Sequence, residues 1–462
     1  MNDAAAGPAL AERLAGWLAA TSSLPLASLP PECVAMARNL VLDVAGLCVA
    51  ARGQDYVQAT LHAVDRGGAC TAFGHPGGWS GFDAALLNGT AAHGEDFDDT
   101  FEGGPVHSGA VLVPALLAAC EREGLGGEAL LRGLVLGSEL LCRLSLVAPK
   151  AIHKAGFHPT AVIGAIAAAA AVATALGLPR GQVAHAIGIA GSMASGIIEY
   201  LADGSWTKRM HAGWAAQSGL RAALMARGGF VGPRTVLEGT HGFFKAFAPT
   251  AVPDYTKLFD GLGEHWVMPT IAFKPYACGT MTQPYIDCGI ALRARGVKPE
   301  EITAIVCDVG EGTVHRLWDP LDLKHNPPTP YAAKFSTPFC IAVGFLDGRA
   351  GFGQFTARRI RDPGALALCR KISYRVDPAN EYPRNFTGHL RCTLADGVVI
   401  ELHQPHMRGG ARDPLPQAEL EQKFSDNCAF GGWPAARADA LRAVLATLFA
   451  QPDLSSLKEF RI

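Results

Sequence analysis

Along most of the chain the apolar positions recur at helical spacing. The stretch 128–148, EALLRGLVLGSELLCRLSLVA, sets Leu and Val on one stripe between charged and small residues, which is the period of an amphipathic helix. The pattern predicts helices throughout to about residue 262, with Asp, Ser or Pro at their entries and Gly at their exits. Ala and Gly are frequent enough that these helices are expected to pack closely, as a bundle. Residues 159–179, PTAVIGAIAAAAAVATALGLP, carry no charge over about the length of a membrane span. Alanine contributes little to insertion, so this segment reads as a buried core helix.

The pattern changes near 263–300. EITAIVCDVG (301–310) and KISYRV (371–376) are short β-branched runs, and FTGHLRCTLADGVVIELHQP (386–405) alternates about a central ADG, the signature of a β-hairpin. RDPGALALCRK, ahead of the second run, reads as a helix, and helical spacing resumes from about 416 to 449. The fold expected is mainly α with an α+β part. A large helical domain takes 1–266 and 406–462, and a smaller α/β domain, 267–405, is inserted before the C-terminal helices.

Composition narrows the class. With 462 residues, 49% hydrophobic and 18% charged, the chain is globular, with room for two or three domains. A net charge of −2 favours neither nucleic acid nor an anionic membrane as a partner. The 12 cysteines are scattered without a CxxC pair, which suits reduced core thiols and a cytoplasmic protein. The start, MNDAAAGPALAERLAGWLAA, has early acids and no basic leader, and reads as a first helix rather than a signal peptide.

Chemistry concentrates in NGTAAHGEDFDDTFEGGPVHSG (88–109), where four carboxylates and a histidine fall within His93–Asp99. Such a knot could hold a metal, perform acid–base chemistry or cap a solvated helix end. On a helix beginning near Asp83, His93 shares a stripe with Leu86, Thr90 and Phe97, so it reads as a core histidine. Asp near a helix C-terminus opposes the macrodipole, so the acids are not there for helix stability. His107 follows Gly103, Gly104 and Pro105 on a loop where backbone can approach a ligand.

In GFHPTAVIG (156–164), Pro159 suits a first helical turn and puts His158 at the N-cap. There the positive helix end is expected to keep the imidazole neutral, though a plain cap is the alternative. SWTKRMHAGWAA (205–216) sets Lys208 and His211 on one helix face with Arg209 beside them. These cations need the acidic cluster, a substrate carboxylate or solvent. Lys274, in FKPYACGT (273–280), lies at the domain junction, where ligand clefts form. HExxH, zinc-finger, EF-hand, P-loop and GxGxxG patterns are missing from the sequence, so no metal or nucleotide cofactor is expected.

Together these segments resemble the MmgE/PrpD family, which includes 2-methylcitrate dehydratases, cis-aconitate decarboxylases and an iminodisuccinate epimerase. The resemblance runs nearly end to end: VLDVAG (41–46), NGTAAHGEDFDDT, GFHPTAVIGA, 203–233, LEGTHGFF (237–244), KPYACGT, KFSTPF (334–339) and DPLPQAELEQKF (413–424). It implies a helical domain with an α/β lid, a homodimer, and work without a metal. The family's pocket positions fall here on Asp96, Thr100, His107, His158, Lys208 and Lys274. Arg209 and His211 join Thr100 and Lys274 as expected substrate contacts.

The common chemistry is proton removal next to a carboxylate of a small di- or tricarboxylic acid. Lys208 with His107 and His158 would neutralise the developing charge. One histidine is expected to be the base, and the other, or a protonated Asp96, to assist loss of hydroxide. That gives a dehydratase first, with epimerase or decarboxylase as alternatives and a non-catalytic polycarboxylate binder as another class. Decarboxylating members resemble one another in a tyrosine after the KFS-type motif and a histidine near Cys278; here Phe339 stands at the first, and the second is missing. Many members carry a histidine where this chain has Gln283.

Overall fold

A computed structural model of the chain describes residues 7–461. It is mainly helical, with a smaller β-containing region ahead of the C-terminal helices. The chain divides into two compact units. One comprises the residues up to Gly94, Asp98–Ile271 and Glu421 onward; the other comprises Glu95–Phe97 and Ala272–Leu420.

The first unit is built on helices α1 (Leu10–Ser22), α2 (Pro31–Ala51), α3 (Gly81–His93), α4 (Gly109–Glu123), α5 (Gly127–Val147), α6 (Pro159–Ala175), α7 (Arg180–Met193) and α8 (Thr207–Arg227). Every residue of α6 is buried. An all-round apolar helix has no solvent face to offer, so it becomes the centre of the unit. Small side chains set the spacing around it. A Cβ added to Gly219 of α8 would fall 2.4 Å from the Ala168 Cβ of α6. One added to Gly213 would fall 2.2 Å from the Leu86 carbonyl oxygen of α3. Glycine at 213 therefore lets the first turns of α8, with Lys208 and His211, lie against the last turns of α3, with His93.

Helices Gln417–Phe430 and Ala435–Thr447 end the chain. Within the helical unit, Lys423 of the first of them forms a buried ion pair with Asp43 of α2 at 2.7 Å. Helix α2 is the one helix among the described residues long and apolar enough to cross a membrane, and most of it is buried. The uncharged stretch noted in the sequence yields the shorter α6, of 17 residues.

The N-terminal part is not helical throughout, as its spacing suggests. Arg66–Cys70 is a short strand bridged to Trp79. RGGAC has no alternation to reveal a strand. What makes it one is close backbone approach: a Cβ on Gly68 would lie 2.0 Å from the Trp79 carbonyl oxygen.

The second unit carries a four-stranded sheet of β1 (Ile302–Val309), β2 (Ile372–Val376), β3 (Gly388–Leu394) and β4 (Val399–Gln404), in the order β2-β1-β3-β4. β1 pairs with β2 in parallel and with β3 antiparallel, and β3–β4 is the hairpin that the ADG turn predicts. Helices α9 (Gln283–Ala294), α10 (Thr337–Asp347) and α11 (Pro363–Cys369) accompany it.

Candidate active site

The acidic stretch begins where α3 ends. The Ser80 hydroxyl caps this helix by accepting from the Asp83 amide at 3.2 Å, and the helix closes at His93 with Gly94 as its C-cap. Phe97 therefore does not share a helical stripe with His93, as the sequence suggests. His93 is buried, and it faces polar partners rather than the apolar core. Its Nδ1 is 2.7 Å from Asp98 Oδ2. A carboxylate accepts, so His93 carries a proton on Nδ1, and its Nε2 is bare when the ring is neutral. Among the described residues that Nε2 is buried without a hydrogen-bond partner.

His107 has a similar anchor. Its Nδ1 lies 2.5 Å from the Asp99 carbonyl oxygen and 3.3 Å from Asp98 Oδ2. A carbonyl can only accept, so Nδ1 bears the hydrogen and Nε2 is bare when the ring is neutral. The glycines and acids of the stretch build this geometry. Asp99 takes hydrogen bonds from the Ser108 and Gly109 amides, each at 2.9 Å, and so caps the start of α4. A Cβ on Gly109 would fall 2.5 Å from Asp99 Oδ1, and one on Gly104 would fall 2.4 Å from the Ser145 hydroxyl. Burial, then the neighbouring Asp98 and Asp43, pushes Asp99 up to about 8 against those amide bonds.

His158 is the N-cap of α6, with Pro159 at the first helical position. The His107 amide donates to Thr160 Oγ1 at 3.3 Å, tying the acidic loop to this helix start. The ring of His158 lies 5.4 Å from that of His93 and 6.4 Å from that of His107, and its Nδ1 is 3.2 Å from His211 Nδ1. Its pKa falls well below the ordinary 6.5, as expected, but for another leading reason. Burial comes first, followed by His93, Lys208, His211 and His107, rather than the helix end. Burial, His93 and Lys208 likewise lower His211 to about 4.

The helical unit thus brings His107, His158, His211 and Lys208 together, with two additions: His93, which the sequence suggests is a core residue, and Asp98. Arg209 lies with its guanidinium 4.4 Å from the Tyr56 ring centroid. Thr100 is buried on the short strand Thr100–Phe101. The donor atoms of His93, Asp98 and His107 lie within 4.8 Å of one another, so these three could ligate a metal ion. In the present geometry His93 and Asp98 are joined through a proton, an arrangement suited to proton transfer.

Acid should weaken this core. Below 6.5 the unfolded chain gains protons at His211 and at the buried His75 that the folded chain takes up only near pH 4. Stability is therefore complete above 6.5 and falls as the pH drops towards 4, by roughly 1 kcal/mol per histidine per pH unit. Thermal unfolding from about pH 7.5 down to about pH 5 should show a falling midpoint, with a shallower slope in His75→Asn. A midpoint independent of pH would contradict these depressed values.

The α/β unit holds a second polar group around Glu95–Phe97. Asp96 adopts φ 55°, a left-handed conformation that costs a non-glycine residue about 1–3 kcal/mol. Lys274 Nζ donates to the Asp96 carbonyl at 3.0 Å, and the Tyr331 hydroxyl donates to Asp96 Oδ2 at 2.7 Å. Lys334 Nζ reaches both the carbonyl and the carboxylate of Glu95 at 2.8 Å. Phe97 meets Phe352 edge to face, with centroids 5.6 Å apart. Tyr331 and Lys334 escaped the sequence reading. Their spacing of three within PYAAK was the available signal, since it puts both on one side of a helical turn.

Gln283 braces the Lys274 loop. Its Nε2 donates to the Tyr276 and Cys278 carbonyls at 3.0 and 3.1 Å, and its Oε1 accepts from the Tyr276 amide at 3.3 Å. Phe339 is fully buried, 6.2 Å from the Phe355 ring.

Comparison with known proteins agrees with this architecture. The chain is 28% identical over 437 residues to a cis-aconitate decarboxylase of Aspergillus terreus, covering 87% of this chain and 86% of that one. It is 30% identical over 356 residues to a cis-aconitate decarboxylase of Mus musculus, covering 74% of this chain and 71% of the other. A 2-methylcitrate dehydratase of Cupriavidus necator is 26% identical over 331 residues, covering 67% and 65%. Residues 12–256 match the MmgE/PrpD N-terminal domain and residues 276–447 the MmgE/PrpD C-terminal domain. This chain belongs to the MmgE/PrpD family.

Proposed function

We propose that this enzyme is a lyase acting on a small unsaturated tricarboxylate of the cis-aconitate type, releasing carbon dioxide and placing a proton on the carbon left behind. The observation that carries the reaction class is the buried cluster itself: His107, held through Nδ1 by the Asp99 carbonyl with the Asp98 carboxylate alongside, in one unit with neutral His158 and the cation Lys208. The substrate class is supported by the relatives. The two decarboxylases match over 87% and 74% of the chain, the dehydratase over 67%. Decarboxylation therefore replaces dehydration as the first reading.

Loss of carbon dioxide leaves an electron pair conjugated with the remaining double bond and carboxylate. Lys208 offsets that charge. A histidine bearing a proton on Nε2 quenches it, forming the new C–H bond. His107 gains its proton on Nε2 and becomes an imidazolium whose Nδ1–H faces Asp98, which stabilises the charged form. Within the helical unit, Thr100 and Arg209 remain proposed contacts for substrate carboxylates.

In the α/β unit, Tyr331 orients the Asp96 carboxylate. The bond is made to a charged acceptor, worth about 1.5–3 kcal/mol, so Tyr331→Phe should lower the unfolding free energy of the α/β unit by about that much. An unchanged denaturation midpoint would show that the bond contributes nothing to the fold.

A second reading, elimination of water from a hydroxytricarboxylate, is favoured by Phe339. The decarboxylase resemblance expects a hydroxyl there, and this chain has a buried phenyl ring. Proton NMR of the enzyme with cis-aconitate and, separately, 2-methylcitrate decides between the two. A decarboxylated product from the first supports the proposal. Turnover confined to the second replaces it with dehydration.

A further inference from the structure

His158 and His211 meet through like atoms, Nδ1 to Nδ1 at 3.2 Å, with both rings buried. A hydrogen bond between two ring nitrogens needs one N–H and one lone pair. At neutral pH neither ring holds two protons, because burial and nearby positive groups depress both. The two rings must then be opposite tautomers. One is Nδ1–H with a bare Nε2, and the other has a bare Nδ1 and carries Nε2–H. The groups around the pair are His93 of α3, His107 of the acidic loop, Lys208 on α8, and Tyr200, whose ring lies 6.5 Å from that of His158 and 5.9 Å from that of His211. Among the described residues neither Nε2 of the pair has a hydrogen-bond partner, so each is open to exchange protons.

We propose that His211 is the positioning residue that switches His158 between base and acid, the two rings sharing one proton along the Nδ1···Nδ1 line. With the shared proton on His158, its Nε2 is bare and accepts. With the shared proton on His211, the Nε2 of His158 carries hydrogen and donates. Each transfer balances. As His158 Nε2 gives its proton to a carbanion, an N–H bond breaks and a C–H bond forms. In concert the His211 Nδ1 proton moves to His158 Nδ1, and His211 Nε2 takes a proton from water, whose hydroxide passes to solvent. Proton abstraction runs the same concerted transfers in reverse, with His211 Nε2 returning its proton to hydroxide, so both rings stay neutral. This rests on the proposed function, in which a histidine of the cluster hands the proton to the substrate carbon, and it assigns that histidine as His158, with His107 beside it. The tautomer pairing itself needs no substrate, so it is tested separately.

Nitrogen-15 NMR of histidine-labelled, ligand-free enzyme should show two neutral rings of opposite tautomer that shift together, and His211→Phe should abolish that coupling. In the same variant kcat should fall by about 30- to 100-fold with KM within about twofold. His211→Gln, whose amide offers both a donor and an acceptor, should recover about tenfold of the loss. If His211→Phe fails to fold, the glutamine variant and the wild-type spectrum still decide. Two rings of the same tautomer, or a His211→Phe enzyme with wild-type kcat, would overturn the switch. Opposite tautomers without turnover of any tricarboxylate would support the pairing and count against the proposed function alone.

Discussion

Lys208→Ala is expected to lower kcat by about a thousandfold, the scale on which one preorganised charge stabilises a developing anion in a dry site. Lys208 is only 5% exposed. It sits in the first turn of α8, where Gly213 allows close approach to α3, and its positive charge lowers both His158 and His211. A buried ammonium with two neutral imidazoles as neighbours is suited to a substrate carboxylate and the charge that spreads from it. The same substitution removes a positive neighbour, so the His211 value should rise from about 4 towards its ordinary 6.5. Turnover by the folded variant within a few-fold of wild type, with the correct substrate, would take Lys208 out of the chemistry.

Asp98→Asn should act nearly as strongly at constant side-chain volume. Asp98 Oδ2 accepts the Nδ1 proton of His93 at 2.7 Å and lies 3.3 Å from Nδ1 of His107, whose proton goes to the Asp99 carbonyl. An amide keeps the shape but removes the negative charge that favours the imidazolium, and its NH2 can force the opposite tautomer on a ring. Where a carboxylate orients a catalytic histidine, this exchange costs about 10⁴-fold, as in the serine protease triad. Here the Asp99 carbonyl still holds His107 at 2.5 Å, so we expect a loss of about 10²–10³-fold in kcat, with KM little changed. A variant of normal kcat would show that Asp98 serves the fold alone.

Much of the architecture was legible because it depends on local pattern. The β-branched runs at 301–310 and 371–376 and the ADG hairpin became β1, β2 and β3–β4. The Ala-rich stretch after Pro159 became the central helix. The N-cap position of His158 followed from the Pro beside it. What sequence could not show depends on distance in space. His93 reads as a core residue because its helical stripe is apolar, yet Asp98, beyond the helix end, turns back to meet it. The division of labour within DFDDT was equally hidden. Asp96 lies with Tyr331 and Lys274 in the α/β unit, Asp98 binds His93 and lies beside His107, and Asp99 caps α4. Three similar carboxylates in four residues acquire different roles through partners 5 to 235 positions away.

The central claim is that the histidine cluster with Lys208 moves a proton to or from a carbon next to a carboxylate. The most direct measurement is incubation of the enzyme with cis-aconitate in D2O, followed by proton and carbon-13 NMR. The expected result is release of carbon dioxide and one deuterium on a carbon of the remaining dicarboxylate, lost in Lys208→Ala. No turnover, and no exchange of any C–H bond in cis-aconitate or in hydroxytricarboxylates, would contradict it.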